Sequence, residues 1–305
     1  MLKKLYISDG KIAEDGTGEP IVYVYSAPDE SERKYLIEQL KIDEHTLNSS
    51  LDPDELGRLE FEPEHTAMIL KRPKRYTSED SLLFKVLSTG IFLFKDRLVI
   101  VVSEEVPLFE GRPFIKMKTV QDILLKLIYR TILHFVEHIR AITLLSNEIE
   151  QHINIAMENK ELINLFTLEK SLVYYLSAIN SNHVLINKIK TNAAKIGLNP
   201  ENLEFLDDIV IENNQCRGQA EIYSQVIANL MDARASIISN NLNVRIKTLT
   251  ILTIAIMLPT LVVSVFSMNV KLPLEHDTLT SFWVVVVLSV LPPVALAVLW
   301  RKMKW

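Results

Sequence analysis

Between Asp232 and Asn269 the sequence sets polar and apolar side chains at intervals that keep them on one side of a helix. Asp232, Asn243, Ile246, Thr250, Thr253, Met257, Thr260 and Ser264 are mostly 3, 4 or 7 residues apart, and the first gap, 11, is three turns. Hydroxyl and amide oxygens are neutral acceptors, and they can take hydrogen bonds from the water around a cation. Asp232 is the only acid of the set, and the Asn269 amide lies at the other end. Hydroxyls in an apolar helix also bond back to their own backbone or join helices. Taken with the acid and the terminal amide, the pattern suggests a water-filled path between copies of this helix.

A second constellation is "HFVEH", His134 to His138. Its H-x-x-E-H spacing would let two histidines chelate zinc with Glu137 as base. It lies inside an uninterrupted amphipathic pattern, where a packed helix is the expected outcome. "RPKR" (Arg72 to Arg75) is read as a solvated turn, and Cys216, the only cysteine, as inert. No glycine-rich phosphate loop and no G-x-S-x-G elbow occurs, so no enzyme is expected. The net charge of −5 argues against nucleic acid as a partner.

The elements that must carry the stripe follow from hydropathy. Thr248–Asn269 and Ser281–Trp300 contain no charged residue. About 20 helical residues rise roughly 30 Å, the thickness of a bilayer's apolar core. Two membrane spans are therefore expected, at 248–269 and 281–300, joined by an outer loop at 270–280. Arg245 and Lys247 precede the first span, and Arg301, Lys302 and Lys304 follow the second. The positive-inside rule puts both flanks, and both termini, in the cytoplasm of a cell-membrane protein. Trp283, Trp300 and Trp305 suit the interfaces. "MLKKLYISDG" lacks the apolar core of a signal peptide, in line with a cytoplasmic N-terminal part.

Residues 1–116 carry short strand-like runs: Ile21–Tyr25, Ala67–Lys71, Leu82–Leu87, Ile91–Phe94 and Leu98–Val102, the last two forming a hairpin. "DESERKYLIEQL" and "DPDELGRLE" are expected to be helices between the first two strands. Residues 117–247 are expected to be long helices. Leu124, Leu127, Ile128, Phe135, Ile139, Ile142, Leu145 and Ile149 recur at helical spacing, and a further helix runs from Glu161 to Lys195 after a polar break at "MENKE". Gly197 should end that helix, Asn199 cap the next and Pro200 open it. If continuous to Phe266, it would be about 100 Å long at about 1.5 Å per residue. So long a helix needs partners, which a symmetric ring supplies. Residues 301–305 form a basic tail.

A terminal two-span hairpin, Met268-Asn269 at the outer end of the first span, a long stalk helix and a basic tail resemble the CorA family of magnesium channels. The spacing of "MD", "SNNLN", "TLT" and "MN" between Asp232 and Asn269 carries the likeness. Ser267 stands where the family signature has glycine. The resemblance implies an α/β N-terminal cytoplasmic domain, then long α-helices and a transmembrane hairpin, in a funnel-shaped homopentamer. It further implies a filter of Ser267, Met268 and Asn269, inner polar rings of Thr260 and Asn243, and an apolar constriction of Met257, Leu249 and Ile246. Asp232 would stand at the cytoplasmic mouth, and Asp208, with Asp207 beside it, would bind regulatory Mg²⁺. Glu275 and Asp277 in the outer loop would attract cations. The implied partners are other copies of the chain, divalent cations and the lipid bilayer. Mg²⁺ would be both cargo and regulator, with no organic cofactor. Transport of zinc, cobalt, nickel or manganese is the nearest alternative, and a membrane-anchored sensor or scaffold is the alternative of a different class.

Overall fold

The computed structural model describes residues 1–8, 10–16, 18–77, 80–110, 113–153, 159–268 and 278–302. Among the described residues, seven strands and seven helices follow in the order β1 (Leu2–Ser8), β2 (Lys11–Ala13), β3 (Val22–Ser26), α1 (Glu30–Glu38), α2 (Glu44–Ser49), β4 (Arg58–Phe61), β5 (Thr66–Pro73), β6 (Val86–Leu93), β7 (Leu98–Val102), α3 (Val120–Ile153), α4 (Asn159–Thr191), α5 (Ala193–Ile196), α6 (Pro200–Phe266) and α7 (Thr278–Lys302). The chain divides into two compact units, Met1–Met231 and Asp232–Trp305, and α6 contributes to both.

In the first unit the strands form one sheet in the order β2-β1-β3-β7-β6-β5-β4. Only the β3–β7 pair is parallel among those described. All of β7 is buried, so both faces of the sheet are covered. Alternation sorts the side chains. Ile91, Leu93, Leu98, Ile100 and Val102 join the core built with α3, α4 and α6. Phe92, Val99 and Val101 join Leu36, Leu40, Ile42 and Leu47 of the α1–α2 segment on the other side. The strands of residues 1–116 therefore share one core with the long helices.

Three sequence expectations are corrected. "DPDELGRLE" is not a helix. Pro53 and Gly57 punctuate it, the buried Lys71 ammonium donates to the carbonyls of Pro53 and Glu55 (2.6 and 2.7 Å), and its end is strand β4. The second helix of that region is α2 instead, capped by the Asp43 carboxylate on the Thr46 N–H. Secondly, Leu82–Leu87 and Ile91–Phe94 are not separate strands; β6 runs unbroken through Gly90. A Cβ at Gly90 would come within 2.2 Å of Ser50 Oγ, so this glycine makes room for the end of α2 rather than breaking the strand. Thirdly, the helix expected to reach Lys195 stops at Thr191, and α5 follows it. The expected terminators do appear: Gly197 is left-handed (φ 80°), and Asn199 accepts the Asn202 N–H at 2.8 Å. Of the "MENKE" break, Met157 and Glu158 lie outside the described residues, and Asn159, Lys160 and Glu161 open α4.

Helix α4 replaces strands the sheet lacks. β4 begins only at Arg58, opposite Ile69, so Lys71 further along β5 has no strand neighbour on that side. There the buried Asn182 side chain accepts from the Lys71 N–H (2.8 Å) and donates to its carbonyl (2.7 Å). Ser181 Oγ accepts the Gly57 N–H (2.6 Å), and Ser171 Oγ accepts the Phe84 N–H (3.0 Å). The H-x-x-E-H motif is packed here too. His138 Nδ1 shares a 2.6 Å hydrogen bond with the Tyr175 hydroxyl, and its ring lies 4.4 Å from that of His134. Glu137 is exposed and pairs with Arg130 at 3.1 Å.

Two outcomes are expected. Asn182→Ala leaves a buried N–H and carbonyl without partners, and denaturant unfolding should show a loss of about 3 kcal/mol. Burial holds His134 down at about 3 and His138 at about 4, so both are neutral in the fold. Unfolded histidine titrates near 6.5, so the unfolded chain takes up protons first as pH falls. The stability these rings contribute is complete above that value and is lost toward pH 4, by at most about 1.4 kcal/mol per pH unit each. Unfolding midpoints between pH 7 and 5 should fall in the parent and flatten in a His134→Gln, His138→Gln double variant; equal slopes would refute the assignment.

Candidate functional site

The second unit holds the end of α6 and α7. β-branched residues are frequent in "TLTILTIAIMLPTLVVSVF", a weak helix former in water. In hydrocarbon the helix is favoured because it satisfies its own backbone. Both α6 and α7 contain an apolar stretch long enough to cross a membrane, and apart from Ser289 the side chains of both stretches are half-exposed or exposed. Pro259 is accommodated inside α6, and Pro292 and Pro293 inside α7.

One continuous helix puts the predicted stripe on one face. Asp232, Asn243, Ile246, Leu249, Thr250, Thr253, Met257, Thr260 and Ser264 are all exposed and fall within roughly a third of the circumference. The partly covered positions, Ile251, Ala255, Leu258, Pro259, Val262 and Phe266, lie on the opposite side. A matching row on α7, Ser281, Val285, Ser289, Pro292 and Leu296, is also covered, Ser289 down to 9% exposure. The chain therefore covers the back of α6 and leaves the stripe open.

The hydroxyls on this helix are already directed. Thr250 Oγ1 donates to the Ile246 carbonyl (2.9 Å), Thr253 to Leu249 (2.8 Å) and Thr260 to Ile256 (2.8 Å). With its proton committed to the helix, each hydroxyl can offer only lone pairs outward. Back-bonding and cation binding are thus compatible. Between these acceptors, Ile246, Leu249 and Met257 present bare apolar surface, 52%, 64% and 63% exposed. The sequence reading set back-bonding against a water-filled path as alternatives, whereas the observed bonds allow both; it did not foresee the covered back row.

At the end of α6, Ser267 closes the helix: its N–H and its hydroxyl both donate to the Val263 carbonyl, at 3.0 and 2.6 Å. Met268 follows, 58% exposed. Asn269, Glu275 and Asp277 lie outside the described residues. In the first unit, Asp208 is exposed on α6 near Tyr129, whose hydroxyl pKa is raised by burial and by Glu212 and Asp208. Asp207 is paired with Lys190 at 2.7 Å. Among the described residues of one chain, no three His, Cys, Asp or Glu side chains are placed to hold a metal ion.

Residues 20–302 match the family described as CorA-like Mg²⁺ transporter protein. The chain belongs to the CorA family. A curated CorA relative, the cobalt/magnesium transport protein of Methanocaldococcus jannaschii, is 23% identical over 289 residues, covering 91% of this chain and 89% of its own. The complete structure of the CorA magnesium transporter from Methanocaldococcus jannaschii superposes with a TM-score of 0.80 at 19% identity, covering 99% of this chain and 96% of that one. The full-length CmaX protein gives 0.70 at 14% identity, over 93% and 88%. The fold is thus the CorA fold, with a mixed-sheet N-terminal part, long helices and two apolar helices. As a CorA member the chain is a membrane-integral divalent-cation transporter and not an enzyme.

Proposed function

We propose that this CorA member is a homopentameric channel that passes hydrated Mg²⁺ into the cytoplasm between five copies of the α6 stripe. The observation that carries the reading is the open face of α6, with hydroxyls that offer only acceptors, in a chain that covers the opposite side of the helix. Mg²⁺ releases its inner water reluctantly, so a pathway built of neutral acceptors can hold the hydrated ion and let it go. On this reading Asn269 forms the outer ring of the filter with Ser267 and Met268. Thr260 and Asn243 form polar rings, and Ile246, Leu249 and Met257 the apolar constriction. Thr253 and Ser264 continue the lining, and Asp232 stands at the inner mouth. Glu275 and Asp277 concentrate cations outside. The flanking Arg245, Lys247, Arg301 and Lys302 favour cytoplasmic termini. The name of the curated relative makes Co²⁺ the second cation to consider.

Ser267 bears on the filter through its bond to Val263. A glycine would lack that bond and free the backbone beyond the helix end. For feedback, cytoplasmic Mg²⁺ would bridge Asp208 to a carboxylate of a neighbouring copy. Its affinity must differ between closed and open states for it to gate. Asp207, held by Lys190, is the weaker ligand of the two.

Uptake into vesicles containing purified protein tests the reading. Mg²⁺ should enter and compete with Co²⁺ more strongly than with Zn²⁺. Asn269→Ala should reduce entry to the level of protein-free vesicles, Ser267→Gly should change rate or ion preference, and Asp208→Ala should relieve inhibition by Mg²⁺ on the cytoplasmic side. No flux in the parent would leave the anchor or scaffold reading standing.

A further inference from the structure

The first unit holds a cavity of about 250 Å³ that the transport reading does not use. It is lined by three arginines, Arg72 from β5, Arg75 just after it and Arg130 from α3, with His134 one turn beyond Arg130. Arg72 is only 6% exposed. Its Nε has no hydrogen-bond partner among the described residues. Its terminal nitrogens reach Glu104 Oε1 at 3.4 and 3.5 Å and the Pro73 carbonyl at 3.3 Å, all at or beyond the long edge of the hydrogen-bonding range. A buried guanidinium so poorly partnered is costly. Arg75 is exposed and makes no hydrogen bond or ion pair among the described residues. Arg130 pairs with the exposed Glu137 at 3.1 Å. The acids beside these arginines are Glu104, Glu137 and, in the cavity lining, Glu110.

From this arrangement we propose that the cavity binds a phosphate group, as inorganic phosphate or the head of a small phosphate ester, between Arg72, Arg75 and Arg130. Guanidinium forks match the several acceptor oxygens of a tetrahedral dianion, which a single carboxylate cannot supply. Burial and the nearby arginines keep His134 neutral, so it adds one N–H donor rather than a further charge. The apolar wall, Val106, Pro107, Leu108 and Leu127, excludes water from one side and strengthens each contact. The volume suits a phosphate with a small substituent rather than a whole nucleotide. The site is independent of ion permeation, so its test does not depend on flux.

Titration calorimetry on the full-length protein in neutral detergent, with inorganic phosphate and pyrophosphate at constant ionic strength, reads the proposal. The parent should bind saturably. Arg75→Gln and Arg130→Gln should each weaken binding about tenfold or more, with unliganded melting unchanged. Glu110→Gln, which removes the acid in the cavity lining, should tighten it. Arg75→Gln disturbs no internal contact described above, so it reports binding even if Arg130→Gln proves unstable. A short-chain phosphatidic acid forms a second arm: binding there but not with free phosphate assigns the same site to a lipid headgroup. No saturable binding in either arm, equal binding of chloride, or indifference to both arginine substitutions overturns the proposal.

Discussion

A helix satisfies its backbone by itself, and α6 depends on that for 67 residues. The same hydrogen-bond ladder serves residues packed in a protein core and residues of a membrane-spanning type. Only the side chains change along its length. In the first unit the covered positions are Leu206, Ile209, Asn213, Cys216, Ala220, Tyr223, Ile227 and Leu230, alternating 3 and 4 apart, the pattern of a helix packed on neighbouring helices. Beyond Met231 no residue of α6 is buried, and the stripe follows the opposite logic, with polar atoms at helical spacing and open. Pro200 at the start, the Asn199–Asn202 cap and the bond from Asn202 to Asp122 of α3 (2.7 Å) fix where the helix begins. Its rigid pitch then sets which residues share a face far along the chain.

The sheet depends on a related economy of hydrogen bonds. A short strand leaves its neighbour's backbone unpaired, and an unpaired buried amide is expensive. Here α4 meets the demand with Ser171, Ser181 and Asn182. Those three residues weaken the apolar face of α4 but tie it to the sheet at defined points. Hydrophobic packing alone is tolerant of sliding; paired donors and acceptors are not. The buried residues of α3 are aliphatic but for Thr131, Phe135 and Ser146.

What could be read from sequence tracks how local the cause is. The spans, the caps at Asn199 and Gly197 and the periodicity of α3 depend on neighbours within a turn or two, and they were legible. β1, β2 and β4 were not: their alternation is weak, and they exist because a partner strand lies alongside. β6 was read as two strands, and the reason a glycine stands within it, Ser50, is 40 residues away from Gly90. Of the candidate site, the stripe was legible because helical spacing and missing charge are both local. The role proposed for Asp208 rests only on family likeness. The basic cavity was hidden for a further reason: "RPKR" supplies two of its arginines but α3 supplies the third, and burial of Arg72 cannot be seen in a string of four letters.

In the pathway proposed above, the acceptors of α6 would be ranked by what a doubly charged, hydrated ion requires. A ring of carboxylates would bind it strongly and release it slowly, and the repulsion among them would have to be relieved whenever the ion left. A free hydroxyl can turn its proton toward the path and oppose a cation. A threonine whose proton is donated to a carbonyl four residues back presents its lone pairs outward instead. The bond that makes threonine an unremarkable helix residue therefore also gives it a fixed polarity. Leucine or valine at the same positions would preserve the helix and lose that polarity. On the proposed pathway, helix stabilisation and ion acceptance at Thr253 and Thr260 would therefore be one arrangement rather than two competing ones.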